Sequence, residues 1–234
     1  MKRSIISQYD QLKGRLGGYC AMLYYRYMNL CIKAEEGSLL PVTVFIEGEG
    51  KKFEEVANAA KDGEYAFKIF PIYDDDLLAV GKGIALAHPE FKQERKSLTL
   101  KMDDGQDQDV EYLLVTMPEV DDNRYDVLKQ AANAMYEECK VQMEAAKAQA
   151  EAQITMLSAD EKKDEIDKVK DAIEELNKTW TEKREQIHDD KLKEIEEGHQ
   201  KYLQELTTAE QKRQEDEQAQ GDGGKSIDMS LFQE

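Results

Sequence analysis

The sequence predicts an α+β protein of two domains, in which a small β-α-β-α-β-β domain is inserted into a long three-helix bundle. Apolar residues recur every three or four positions in residues 5–35 and again from residue 122 onward, which is typical of amphipathic helices. Residues 39–120 instead carry short β-branched and aromatic runs separated by Gly, Pro and Asp, which is typical of strands and turns.

The first bundle helix is predicted within residues 1–38. Its apolar stripe consists of Tyr9, Leu12, Leu16, Tyr19, Leu23, Tyr27 and Leu30. Gly17 and Gly18 interrupt this stripe, and each costs a helix about 1 kcal/mol relative to Ala. The pair therefore indicates a kink or a close contact with another helix.

The inserted domain is predicted to span residues 39–120. Its expected strands are 42–46, 65–70, 97–102 and 110–117, and its expected helices are 53–60 and 77–87. Because these elements fit into about 80 residues, the insert is large enough to form a core of its own.

The second and third bundle helices are predicted within residues 121–210. One helix covers 122–157, and the Ser-x-x-Glu pattern of 158–161 indicates a capping box that starts another, over 159–206. Trp180 is expected in the bundle core. The eight-residue step from Ile187 to Ile195 breaks the heptad pattern, which suggests that the bundle ends there and a free helix continues.

The composition limits the function classes. Residues 211–234 are rich in Gln, Glu, Asp and then Gly, which predicts a disordered tail. The chain has a net charge of −18, which disfavours a broad nucleic-acid-binding face, although residues 1–40 carry six basic and three acidic side chains, a net +3. No apolar run approaches the roughly 20 residues of a membrane span. An odd number of separated cysteines, Cys20, Cys31 and Cys139, indicates reduced thiols and a cytoplasmic protein.

Two segments resemble ligand-binding motifs without completing them. Residues 221–226 resemble a phosphate-binding loop, but Ala219 stands where that motif needs Gly. The acidic loop 103–109 has the composition of a calcium loop, but Leu114 occupies the position of the bidentate Glu. Since no triad, paired carboxylates or metal-ligand spacing can be assigned either, the sequence predicts no enzyme activity, no metal site and no cofactor.

Four segments carry a family resemblance, clearest in the last of them. They are 37–47, 53–57, 65–74 and 115–124, and the last resembles a Val-Pro-x-Pro-x-x-Thr-x-Glu-Arg pattern that ends on Arg124. In this order, and over roughly residues 30–206, they resemble the ribosome recycling factor family. The resemblance implies an L-shaped, two-domain translation factor without catalytic chemistry. It implies binding to the large ribosomal subunit and, together with elongation factor G, splitting of the post-termination ribosome.

The family's rod domain contacts ribosomal RNA largely through arginines, and most of these are replaced here. The family's Arg-Thr-Gly-Arg pattern corresponds to residues 33–37, where one basic residue remains. Its Arg-x-x-Arg-Arg cluster corresponds to Glu144, Lys147 and Ala148. Lys does not replace Arg for bidentate phosphate recognition. The RNA-binding candidates are therefore Lys33, Arg124, Lys140 and Lys147.

Two functions remain open at this point. A translation factor that binds ribosomal RNA would carry one contiguous basic strip through Arg15, Arg26, Lys140 and Lys147, whereas a protein-interaction module that kept the fold and lost RNA binding would present an acidic surface. The candidates also have structural alternatives. Arg124 would form an ion pair with Asp121 or Asp126 at the start of its helix, and Lys147 would be a solvated charge on a helix flank.

Overall fold

The computed structural model describes residues 3–101, 107–159 and 162–222. Its three long helices are α1 (Arg3–Met28), α4 (Asp122–Leu157) and α5 (Lys163–Asp222), and each packs against the other two. Their buried apolar side chains form one core, which includes Leu16, Leu23, Ala132, Ile154 and Ile173. The bundle follows from the sequence periodicity, because these residues belong to the predicted apolar stripes.

The insert holds the strands and the two short α-helices. They are β1 (Thr43–Ile46), β2 (Glu49–Lys52), α2 (Phe53–Val56), β3 (Ala57–Lys61), β4 (Ala66–Pro71), α3 (Leu77–Ala87), β5 (Lys92–Lys101) and β6 (Asp107–Thr116). β1 and β2 form an antiparallel hairpin, and the other strands form an antiparallel sheet in the order β3-β4-β6-β5. A second core, which includes Val44, Phe67, Ile69, Val80 and Ile84, lies between α3 and these strands. The α+β fold class is thus as predicted.

Two elements of the insert differ from the prediction. β2 was not predicted; it pairs with β1 because Glu47 (φ 52°) and Gly48 (φ 87°) form a two-residue turn with positive φ at both positions. The helix predicted over 53–60 ends at Val56, and the Ala-rich residues after it form β3 instead. Pairing of β3 with β4 along its whole length overrides the helix propensity of alanine.

The ends of several elements also differ, and β6 begins at Asp107, three residues before the predicted start. β5 begins at Lys92, five residues earlier than predicted, because it pairs with β6 over ten residues. α1 ends at Met28, well before residue 35, since the amides of Asn29 and Leu30 close tight turns onto Arg26 and Tyr27. α5 begins at Lys163, after the predicted residue 159.

The predicted capping box does not start α5 at Ser158. The Ser158 hydroxyl donates a hydrogen bond of 2.6 Å to the Ile154 carbonyl and so closes α4, while residues 160–161 of the motif lie outside the described residues. Most of the acidic loop 103–109 and most of the glycine-rich segment 221–226 also lie outside them.

α5 continues through residues 211–222, where the sequence predicted disorder. Residues 207–220 contain no Gly or Pro and are rich in Ala, Glu, Gln, Lys and Arg, which are good helix formers. Residues 223–234 lie outside the described part of the chain.

The bundle also does not end at Ile187. Ile195 is fully buried in the same core as Ile32 and Val120. His188 and Lys191, which lie between Ile187 and Ile195 in the sequence, are buried as well. The heptad pattern breaks because polar side chains fill this stretch of the core, not because α5 leaves it.

Gly17 lies against Trp180, whereas Gly18 faces open space. A Cβ built at Gly17 would lie 3.1 Å from Cη2 of Trp180, and a Cβ at Gly18 would meet nothing within 4 Å. α1 is one continuous helix through both glycines. Of the two predicted alternatives, a kink or a close helix contact, the close contact is therefore the one present, and it lies at Gly17. Trp180 packs against the bundle core, as expected. The three cysteines are free and buried, and no helix in the described ranges has the length and apolarity needed to cross a membrane.

We expect the two glycines to respond differently to alanine. Gly18→Ala should stabilise the chain by up to about 1 kcal/mol through helix propensity alone. Gly17→Ala should stabilise the chain less than Gly18→Ala does, because the added methyl displaces the Trp180 ring. Chemical denaturation measures both stabilities. Fluorescence of Trp180, the one tryptophan in the chain, should shift only in the Gly17 variant. Equal stabilities with unchanged emission would contradict this packing.

Candidate functional site

The chain crosses between the two cores twice, through a first connector (residues 29–35) and a second connector (residues 117–121). In the first connector Cys31 and Ala34 belong to the insert core while Ile32 belongs to the bundle core. In the second, Met117 belongs to the insert core and Val120 to the bundle core. The two connectors therefore form the junction at which the insert is attached.

Both connectors bond to the same short segment of the insert. The Ala34 amide donates to the Glu64 carbonyl at 2.7 Å, and the Met117 amide donates to the Tyr65 carbonyl at 2.7 Å. Glu64 and Tyr65 lie in the turn that leads into β4, an inner strand, so the sheet is tied directly to the chain crossings.

Arg124 connects the two connectors to each other. Its guanidinium donates to the Cys31 carbonyl at 2.7 Å in the first connector and to the Pro118 carbonyl in the second. Burial lowers the pKa of Arg124, and the charges of Glu90 and Asp121 act in the opposite direction. Asp121 accepts from the Arg124 backbone amide at 2.7 Å, which caps α4. The side chain is thus engaged with carbonyls and not with the carboxylates that the sequence suggested.

Lys147 and Lys140 lie on α4 beside carboxylates. Lys147 pairs with Glu174 of α5 at 2.7 Å and with Glu151 at 3.7 Å, and the hydrogen bond from Lys147 to Glu174 raises the pKa of the lysine. Lys140 is more exposed and lies 3.7 Å from Glu137. Lys147 therefore bridges two helices and is not a freely solvated flank residue.

Lys33 lies in the first connector, with its ammonium 3.3 Å from Glu35. The hydrogen bond with Glu35 raises the pKa of Lys33. It lines a cavity of about 350 Å³ between the end of α1, the connector and α5, whose other charged lining residues are Glu35, Asp190, Lys191 and Glu194. Acidic side chains outnumber basic ones there, so the cavity does not favour an anion.

The predicted basic strip is divided between two helix seams. Arg15 donates to Gln149 and Arg26 to Glu138, each at 2.6 Å, across the seam between α1 and α4. Lys147 lies on the other seam, between α4 and α5. Each of the four RNA-binding candidates, Lys33, Arg124, Lys140 and Lys147, lies within reach of a carboxylate or a backbone carbonyl.

A polar network inside the bundle was not predicted from the sequence. The Tyr27 hydroxyl donates to the Ala132 carbonyl at 3.0 Å, so His188 carries its proton on Nδ1 and donates to the Tyr27 oxygen at 2.7 Å. The His188 ring stacks on Tyr136, whose hydroxyl accepts from buried Arg184 at 3.3 Å. One sequence signal existed, because Arg184 falls four residues after Trp180 and three before Ile187, on the apolar stripe.

Comparison with known proteins now decides the family. The sequence model of the family described as ribosome recycling factor matches residues 29–195, which cover most of the chain. The chain belongs to the ribosome recycling factor family. No curated protein matches it.

Two solved structures share the fold of this family member. A solution structure of the ribosome recycling factor has a TM-score of 0.65 at 13% identity. The alignment covers 84% of this chain and 100% of the matched chain. The second is described as models for the T. thermophilus ribosome recycling factor and the E. coli elongation factor G bound to the E. coli post-termination complex. It has a TM-score of 0.51 at 16% identity, and the alignment covers 82% of this chain and 98% of the matched chain. At these identities the likeness shows the fold alone.

The match to the ribosome recycling factor family spans the junction but not the end of α5. It begins at residue 29, includes both connectors and the insert, and stops at residue 195, whereas α5 continues to Asp222. Within the described ranges, no group of three His, Cys, Asp or Glu side chains is close enough to hold a metal ion.

Arg124→Gln should destabilise the chain by about 2–3 kcal/mol, because the connector carbonyls lose a charged hydrogen-bond donor in a partly buried site. Arg95→Gln is the matched control; it removes an exposed ion pair with Glu111, which contributes only about 0–1 kcal/mol. Urea denaturation measures both. If Arg124 acts only on an external ligand, its variant will be as stable as the control.

Stability should also depend on pH through His188. Burial lowers the pKa of His188 below its ordinary 6.5, with Asp189 and Glu137 opposing the shift and Arg184 adding to it. The unfolded chain therefore binds the proton more readily, and stability should fall as pH drops through 6.5 towards the lower pKa of the folded state. Denaturation from pH 8 to 5 should show this loss, and His188→Gln should reduce it. An identical pH profile in both chains would contradict the assignment.

Proposed function

We propose that this chain binds the ribosome and assists the disassembly of post-termination complexes, as a divergent ribosome recycling factor. The observation that carries the proposal is the family match over residues 29–195, because it covers the junction, the insert, α4 and the bundle part of α5. The proposed partners are large-subunit ribosomal RNA and elongation factor G. The action is by binding, without a catalytic residue, and takes place on ribosomes of the cytoplasm.

Similarity of architecture supports the proposal. The structures that share this fold include a recycling factor described together with elongation factor G on a post-termination complex. A helical bundle with an attached small domain offers two surfaces, one for each proposed partner. In this proposal residues 39–120 act as one domain, residues 1–38 and 121–210 as the other, and residues 211–234 as an accessory extension.

The proposed RNA contacts are Lys33, Lys140 and Lys147, and Arg124 contributes by holding the junction. Each lysine lies beside at least one carboxylate, so a phosphate must compete with Glu35, Glu137 or Glu174 for it. A net charge of −18 adds long-range repulsion. We therefore expect weak, strongly salt-dependent binding to RNA, strengthened by elongation factor G.

A second candidate function is a protein-interaction module that keeps the fold without binding RNA. The split basic strip favours it, because Arg15 and Arg26 are occupied by α4 side chains. Capture of partners from a cell lysate that survives nuclease treatment would support this function, and recovery of ribosomal material alone would count against it.

Co-sedimentation with ribosomes tests the first proposal. The wild-type chain should pellet with ribosomes at low salt and, with elongation factor G, at physiological salt. Lys33→Ala and Lys140→Ala should each weaken binding. Each should also lower the slope of log affinity against log salt by about one, because one phosphate is no longer neutralised by the protein.

Lys193→Ala is the matched control for these variants, since Lys193 is an exposed lysine on α5 with an ion pair of 3.8 Å to Glu197. It should bind like the wild type. Absence of the chain from the pellet at both salts, with and without elongation factor G, would rule out ribosome binding.

A further inference from the structure

Arg184 is a buried cation in the bundle, and its polar contacts are weak. One terminal nitrogen donates to the Tyr136 hydroxyl at 3.3 Å, and the other lies 4.0 Å from the Met143 sulfur. The carboxylate of Glu185 is half exposed and lies 4.0 Å away. Among the described residues, no hydrogen-bond acceptor reaches the Arg184 Nε. Because a buried charge without a close counterion is costly, this position favours an anion beside the guanidinium.

Two thiols lie near this cation. Cys20 on α1 and Cys139 on α4 are 2% and 4% exposed, and both belong to the bundle core. The Cys139 sulfur lies 3.7 Å from the Tyr19 carbonyl, against the peptide unit that leads into Cys20. The Cys20 sulfur lies 3.7 Å from the carbonyl of Trp180, one helical turn before Arg184. The two thiols therefore meet at the seam between α1 and α4, where they hydrogen-bond to each other.

We propose that Cys20 and Cys139 form a peroxide-reactive dithiol, which hydrogen peroxide converts into a disulfide between α1 and α4. Cys20 is the attacking thiolate, and Cys139 is the thiol that resolves the oxidised intermediate. Arg184 is a positioning residue, because it acts through the negative charge on Cys20. This inference does not depend on ribosome binding.

The two roles follow from the different acidities of the thiols. The hydrogen bond with Cys139 lowers the pKa of Cys20, and the positive charges of Arg184 and Lys183 act in the same direction, against the effect of burial. The hydrogen bond with Cys20 and burial both raise the pKa of Cys139. When the pair holds one proton, that proton therefore stays on Cys139. The thiolate is the form of cysteine that reacts with peroxide, so Cys20 is attacked first.

The reaction balances with hydrogen peroxide as the one co-reactant. The Cys20 thiolate attacks one peroxide oxygen, which forms an S–O bond and releases hydroxide. The hydroxide becomes water by taking up the proton that Cys20 lost on ionising. The Cys139 sulfur then attacks the Cys20 sulfur and forms the S–S bond, and the oxygen leaves with the Cys139 proton as a second water. The peroxide gains two electrons, one from each sulfur.

Cys31 is an internal comparison, because it is buried as deeply as Cys139 but belongs to the insert core. Its thiol donates to the Met28 carbonyl at 3.2 Å. Burial raises the pKa of Cys31 to about 11, so this thiol stays protonated at neutral pH. Burial alone would protect all three thiols equally, whereas the proposed dithiol predicts that only Cys20 and Cys139 react.

Peroxide treatment of the reduced full chain at neutral pH, followed by denaturation and alkylation, tests the dithiol. The three free thiols should fall to one without formation of a covalent dimer. Digestion with trypsin should then yield residues 16–26 linked to residues 130–140, with Cys31 alkylated in the peptide 27–33. Survival of all three thiols, or loss of the Cys31 thiol at the same rate, would overturn the proposal.

Serine variants separate the roles of the three thiols, and thermal unfolding confirms that each variant is folded. Cys31→Ser is the matched control and should form the disulfide at the wild-type rate. Cys139→Ser should stop at a sulfenic acid on Cys20, which dimedone traps. Cys20→Ser should leave Cys139 unreacted. A sulfenic acid on Cys139 in that variant would show that the assigned nucleophile is wrong.

The role of Arg184 is tested by the rate of disulfide formation. Arg184→Met should slow the reaction about tenfold for each unit by which the pKa of Cys20 rises, because the thiolate fraction falls by that factor. Arg184→Lys keeps the positive charge and should recover part of the rate, which a purely structural role would not predict. Equal rates in the wild type and in Arg184→Met would refute the charge effect.

Discussion

The structure depends on the junction, where the two connectors must be held together as they pass between the bundle core and the insert core. The connectors lack a ladder partner for many of their backbone groups, and buried carbonyls need donors. Arg124 meets this need for both connectors at once, because its planar guanidinium offers several donors in fixed directions and binds Cys31 and Pro118 together. The sheet segment at Glu64 and Tyr65 completes the junction by accepting one amide from each connector.

Arg124 shows that a side chain can serve the fold of the recycling factor family without contacting RNA, because its guanidinium is bonded to the two connectors. The fold is shared with the solved structures at 13–16% identity, so it does not depend on most of the individual side chains. Surface chemistry is free to change on the same scaffold. Glu174 and Glu138 lie opposite Lys147 and Arg26, which neutralises much of the positive charge that an RNA-binding rod would present. Arg124 therefore has a structural role at the junction, whether or not it also contacts RNA.

The sequence predicted the elements that depend on local periodicity and failed where distant pairing decided. α3 and α4 were placed at Leu77–Ala87 and Asp122–Leu157, because an apolar repeat and flanking Pro or Asp residues define them locally. β3 was misassigned, since its Ala-rich sequence is extended only through β4. The candidate cations could be named from the sequence but their partners could not, because Glu174 reaches Lys147 from another helix. The close approach of Gly198 to Ile32 and Val120 could not be predicted either, because the two connectors reach it from distant parts of the sequence.

The polar stretch of α5 explains how this helix reaches the junction. Between Ile187 and Ile195 the buried positions include His188 and Lys191, so the helix stays in the core without an apolar repeat. Lys191 remains satisfied by Glu194 at 2.9 Å, and His188 by the Tyr27 hydroxyl at 2.7 Å. These two pairings exist only in the observed register of α5, so a shift along the bundle would leave His188 and Lys191 buried without their partners. Because that register also sets where Gly198 meets the connectors, the polar core fixes the geometry of the junction from a distance of about two to three helical turns.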